Sequence, residues 1–369
     1  MLRMSATVHA AIPDTQALLS PRVFFSTVTA LLRPLDQTRI AFFRVLGPVA
    51  RPFIRSRSLR ASTLLTLSIV VAFALTLLAP LAVLALGPVV LGMPHLAADA
   101  RYLVIRPGLH RERMFWLITI PLAALTFTAE AHWGFLSVAL AALAAMVRVK
   151  RLSTGALLAL VLALLGLYGS TVSAHATSTW TAHAHNAFAL LAFLFWPRWV
   201  GRTRDDVTPL LPMSLVLLGA LFLMLGGAEW VGLNFMQLDM EEGLGTPLVS
   251  HLYSLAPDGL SFEMGVRLVL LFAFTQSVHY GVWLRAIPEE DRPQPTPRSF
   301  TRAWNAMREE GSLHVMIVFG ILTLALLGWA ACDLSAARTG YLRFALAHGF
   351  LEVAVLVYSG GALTPKARV

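Results

Sequence analysis

The chain has 369 residues, of which 57% are hydrophobic and only 13% charged. Soluble domains carry roughly 25% charged residues, so a water-soluble globule is excluded and repeated bilayer crossing is expected. The formal net charge of +9 comes from Arg and Lys set mostly between apolar runs, which points to membrane orientation and lipid headgroups and not to nucleic acid.

Residues 1–60 read as a basic, cytoplasmic or interfacial segment. Phe24 to Leu32 and Ile40 to Val49 suit two short amphipathic helices lying on the surface. No basic start leads into an apolar core with a small-residue cleavage site, so a cleaved signal peptide is not expected. Arg51, Arg55, Arg57 and Arg60 then mark a cytoplasmic flank.

Residues 61–360 form the expected bundle, an all-α polytopic membrane fold of about ten spans, with eight to about twelve defensible. In order they are Ser62 to Ala79, Ala82 to Ile105, Met114 to Ala129, Gly134 to Val147 and Thr154 to Ser170. Ala174 to Trp196, Leu210 to Ala228, Met264 to Leu284, Ser312 to Ala331 and Tyr341 to Tyr358 follow. Even-numbered spans end in basic loops, closed for example by Lys150 and Arg151 or by Arg202 and Arg204. Odd-numbered spans end in neutral or acidic loops. That alternation places both termini in the cytoplasm, as in a bacterial inner membrane. Arg267, Arg338 and Arg343 fall on the other side and are expected to snorkel outward.

Two connections stand out. Residues 229–263 hold Asp239, Glu241, Glu242, Asp258 and Glu263 without Lys or Arg, and read as an acidic non-cytoplasmic loop. Residues 285–311 carry Pro288, Pro293, Pro295 and Pro297. That density favours an extended cytoplasmic linker.

Ionisable groups are costly in hydrocarbon and usually face the bundle interior. Here His95, His183, His185, His279 and His348 all lie inside apolar runs. Counting helical rise places them in one slab, roughly 10–20 Å from the cytoplasmic boundary. Each has polar company one turn away: Asp99 for His95, Asn186 for His183, Gln276 for His279 and Glu352 for His348. Any one of these histidines alone would ordinarily be a packing residue. Four helices contributing at one depth argue for convergence on a metal.

His9, His110 and His314 are expected to be solvated, and His132, His175 and His251 to pack in loops. Cys332 is the only cysteine, so a thiolate cluster is excluded. Imidazole and carboxylate ligands suit non-haem iron, zinc, copper or manganese. Asp99 and Glu352 are the candidate catalytic carboxylates, able to hold an imidazole or to serve as a general base. A metal at this depth faces the acyl-chain region, which suits an apolar, lipid-like substrate. No P-loop, dinucleotide fingerprint, HExxH or G-x-S-x-G elbow is present.

The stretch Gly92-Met93-Pro94-His95-Leu96-Ala97-Ala98-Asp99 resembles the G-x-P-H-G-A-x-D signature of the Brp/Blh membrane carotenoid dioxygenases. The matching positions are Gly92, Pro94, His95, Ala97 and Asp99. The resemblance implies cleavage of a carotenoid by an iron held by four intramembrane histidines, with His95 as one ligand. The family's later H-x₃-H pair is absent: after Gln276-Ser277-Val278-His279-Tyr280, Trp283 stands at the second position. His348 would then supply the missing ligand. Besides a scaffold or regulatory membrane protein without chemistry, two other classes remain open from the residues themselves. One is a membrane electron carrier with two histidines on a haem. The other is a transporter with a histidine–carboxylate proton relay.

Overall fold

Several helix starts are written locally. Ser56, Ser261, Ser299 and Asp333 each accept a hydrogen bond from the backbone N–H three residues on. This satisfies one of the orphaned donors of a helix N-terminus. The computed structural model describes residues 21–149, 153–199, 209–232, 247–292 and 294–360, and all regular structure among them is helical. The order is α1 (Pro21–Leu46), α2 (Ala50–Arg55), α3 (Arg57–Leu78), α4 (Pro80–Asp99), α5 (Arg113–Thr128), α6 (His132–Val149), α7 (Thr154–Val172) and α8 (Ala174–Trp199). Then come α9 (Leu210–Met224), α10 (Gly227–Trp230), α11 (Leu248–Leu255), α12 (Phe262–Gly281), α13 (Ile287–Glu290), α14 (Phe300–Glu309), α15 (Leu313–Cys332) and α16 (Leu334–Tyr358).

Among the described residues five helices are long and apolar enough to cross a bilayer: α3, α4 with its continuation to Ile105, α7, α15 and α16. The outward faces are apolar. Leu165 is 60% exposed, Leu217 61% and Leu324 71%. Water would not tolerate a continuous surface of that kind, whereas hydrocarbon does. Residues Lys150, Arg151, Arg202 and Arg204, which carry part of the charge alternation, lie outside the described residues, as do His9 and the acidic trio Asp239, Glu241 and Glu242.

The helices that matter for the site form a ring. α4 packs on α12, α12 on α8, α8 on α16, and α16 back on α4. Gly92 permits the last contact, because a Cβ there would run into the Tyr341 ring. α4 contains Pro88 and Pro94, each of which removes an intrahelical donor. α4 and α12 both continue into π-helical turns, Ala100–Ile105 and Val282–Ala286. Such turns often accompany functional sites.

Two sequence expectations need correction. The N-terminal segment is not two short helices: α1 covers Phe24 to Leu32 and runs on through Pro34. The carbonyl that Pro34 leaves free belongs to exposed Ala30, where solvent can reach it. α1 is also pinned to α14, since Asp36 accepts from the backbone N–H of Phe300 at 2.7 Å and of Thr301 at 3.2 Å. The second correction concerns residues 285–311, which are not an extended linker. They contain α13 and α14.

The reason is charge pairing over long sequence separation. Glu289, on α13, accepts from Arg60 Nε at 2.8 Å and lies 3.0 Å from Arg292. Asp291 pairs with Arg106, and Glu310 accepts from Arg101 at 2.8 Å. These acids are largely buried against the ends of α3 and α4. Proline density alone does not reveal such partners. On the opposite side Arg267 pairs with Glu229 at 3.0 Å. Arg338 does not snorkel, because it is buried.

Candidate metal centre

Two helices carry the same local pattern, a histidine followed four residues later by an acid. His95 and Asp99 share one face of α4, and His348 and Glu352 share one face of α16. Because α4 and α16 pack together, the two pairs meet. His95 Nε2 and His348 Nε2 are 2.9 Å apart. Asp99 Oδ2 lies 3.6 Å from His348 Nε2 and 3.8 Å from His95 Nε2.

α8 and α12 complete the ring with His185 and His279. Their ring centroids are 4.4 Å apart, and His185 is 4.7 Å from His348. Glu352 reaches both, with Oε2 at 3.5 Å from His185 Nδ1 and Oε1 at 3.9 Å from His279 Nε2. Ligand atoms of His185, His279, His348 and Glu352 lie within 4.8 Å of one another, as do those of His95, Asp99 and His348. His348 belongs to both sets.

The donor set fits a metal. Both ring nitrogens of His279, both oxygens of Asp99 and Oε1 of Glu352 are buried with no hydrogen-bond donor or acceptor on them. Buried polar atoms are normally satisfied, and orphans in a cluster need an explanation such as an ion. Asp99 and Glu352 also face each other. Two carboxylates in an apolar interior are tolerated together only with a shared proton or a cation. Three imidazoles and a carboxylate in one group, or two imidazoles and a carboxylate in the other, could hold a borderline divalent ion. The carbonyls of Gly92 and Leu91 lie against His95, and those of Ala345 and Phe344 against His348. Such backbone contacts orient a ligating ring.

The structure does not bring every sequence candidate together. His183 sits two residues before His185 and points elsewhere: its Nε2 is 2.9 Å from the Leu255 carbonyl, and its ring packs on Phe272. Asn186, expected to accompany His183, donates instead to Thr275 Oγ1 at 3.2 Å. His175 lies 3.2 Å from the Ala256 carbonyl. His251 was expected to be loop packing, and it is fully buried against Arg338.

A cavity of about 600 Å³ opens onto the cluster, lined by His95, His185, His279 and His348 and otherwise mostly by apolar side chains such as Phe135, Leu162 and Val353. Among the four histidines His185 shows most to this space, with 16% of its side chain exposed. Gly349 makes room for it, since a Cβ there would press on the His185 ring at 2.8 Å. Sequence reasoning missed Tyr280, Tyr341 and Arg338, which line the same cavity. The available signal was Tyr341, seven residues before His348 and so on its helix face. Trp283, which occupies the position of a histidine in the resembled signature, stands beside Glu352. No protein-family model, curated protein or solved structure matches this chain.

Proposed function

We propose that this chain is a polytopic protein of a bacterial inner membrane, with about ten spans and both termini cytoplasmic, that works as a non-haem iron oxygenase on a lipid-like or isoprenoid substrate. The observation that carries the reading is that His95, His185, His279 and His348 cluster in the bundle interior as two overlapping ligand groups that share His348, with acid oxygens beside them that make no well-formed hydrogen bond. Iron bound there would supply activation of dioxygen toward an otherwise inert hydrocarbon. The chain's own residues do the rest. Asp99 and Glu352 stand 3.5 to 3.9 Å from the imidazoles and can take up or release a proton next to the reacting atoms. The apolar cavity aligns the substrate and keeps bulk water away from it.

Haem fits the ring positions poorly. With His95 and His348 nitrogens 2.9 Å apart and the other rings close by, a porphyrin plane has no room between axial ligands. A proton-relay transporter would use the same groups without a metal. Elemental analysis and an absorption spectrum of the protein purified in mild detergent separate the readings. About one iron per chain and no Soret band are expected. A Soret band would mean haem, and a metal-free, fully folded preparation would favour transport.

A further inference from the structure

A buried cation shares the cavity with the histidines and has no acidic partner among the described residues. Arg338, near the start of α16, is only 7% exposed. Its Nε donates to the Leu84 carbonyl at 3.0 Å. That carbonyl is free because Pro88, four residues on, has no N–H to give it. Its Nη2 donates to Nδ1 of His251 at 3.0 Å. A histidine nitrogen that accepts is uncharged in that role. Two of the three guanidinium nitrogens are thus fixed by neutral acceptors. The third, Nη1, has no hydrogen bond among the described residues, and the side chain lines the cavity.

Beside it in the same wall stand Tyr280 and Tyr341, whose hydroxyls neighbour each other. Both hydroxyls are buried, and neither makes a well-formed hydrogen bond. A buried guanidinium without an acidic partner is expensive, and such groups mark ligand sites when they face a cavity. A purely hydrocarbon ligand would offer no acceptor to Arg338 Nη1 or to the two hydroxyls.

We infer that the substrate is an amphiphile, an apolar chain ending in an oxyanion, which the fixed Arg338 guanidinium holds with the Tyr280 and Tyr341 hydroxyls beside it. This rests on reading the cavity as the substrate site of the metal centre. Arg338 and His348 are ten residues apart on α16, about 15 Å along its axis. Cavity-lining positions continue to Val357, about 28 Å from Arg338 along the helix. The Tyr280 ring also packs 4.8 Å from that of His95, so the head site adjoins the histidines and the apolar chain runs on along the cavity. Carboxylate and phosphate heads share the required chemistry.

The test compares ligands of equal chain length on the purified full chain in non-ionic detergent at about pH 8, where the acids are ionised. The probes are palmitic acid, hexadecyl phosphate, methyl palmitate and hexadecanol. One or both acids should bind at least about tenfold more tightly than the ester and the alcohol. Which acid binds better identifies the head group. Arg338→Gln should abolish the preference while leaving alcohol binding and metal content unchanged. Equal binding of palmitic acid and its ester to the unsubstituted protein would overturn the inference, with no variant required. Metal content measured on the same samples keeps the two proposals apart. Metal present without acid preference sinks the amphiphile alone, and acid preference without metal sinks the oxygenase reading alone.

Discussion

Replacing His348 with alanine is expected to abolish metal binding at the proposed centre. His348 is the one side chain common to both groupings of ligand atoms. Its Nε2 stands 2.9 Å from His95, 3.6 Å from Asp99 and 3.9 Å from Glu352. Deleting it breaks both groupings at once. Loss of a residue that merely supports a ligand costs about 10–100-fold in metal affinity, so loss of this ligand should exceed about 100-fold. Elemental analysis after detergent purification reads the effect. His183→Ala is the matched control, because His183 Nε2 is turned to the Leu255 carbonyl and its removal should leave metal content unchanged. Full occupancy in His348→Ala would show that the metal lies elsewhere.

The second large effect is on stability. Glu289→Ala leaves Arg60 and Arg292 without their shared acid at a buried end of the bundle. Breaking one side of a buried pair typically costs about 3–5 kcal/mol, mostly from the charge left behind. Glu130→Ala removes an exposed partner of His132 and should cost about 1 kcal/mol or less. Thermal unfolding of both variants in the same detergent makes the comparison. Similar transition temperatures for the two would mean that the network does not hold α13 against α3 and α4.

The sequence was most legible where a single helix decides the outcome. Apolar runs located the helices, and the four-residue spacings of His95 with Asp99 and of His348 with Glu352 put each pair on one face. Depth counting then singled out the levels of His185 and His279. The reading went too far with His183, although helix geometry already argued against it. Residues two apart on a helix point about 200° apart, so His183 and His185 cannot both face one ion easily.

What stayed hidden depends on partners far away in the chain. Glu289 finds Arg60 across 229 residues, and no local pattern in a proline-rich stretch announces that. The role of Arg338 needs the proline gap in α4 and the buried His251 on α11 together. The π-helical turns after Asp99 and Gly281 answer to tertiary packing and leave no simple periodicity behind.

X-ray absorption at the metal edge of the purified protein tests the shared site most directly. A shell of about three to four imidazole nitrogens close to 2.1 Å from the metal is the expected result. A bound metal without imidazole scattering, or a folded protein that takes up no metal at all, would contradict it.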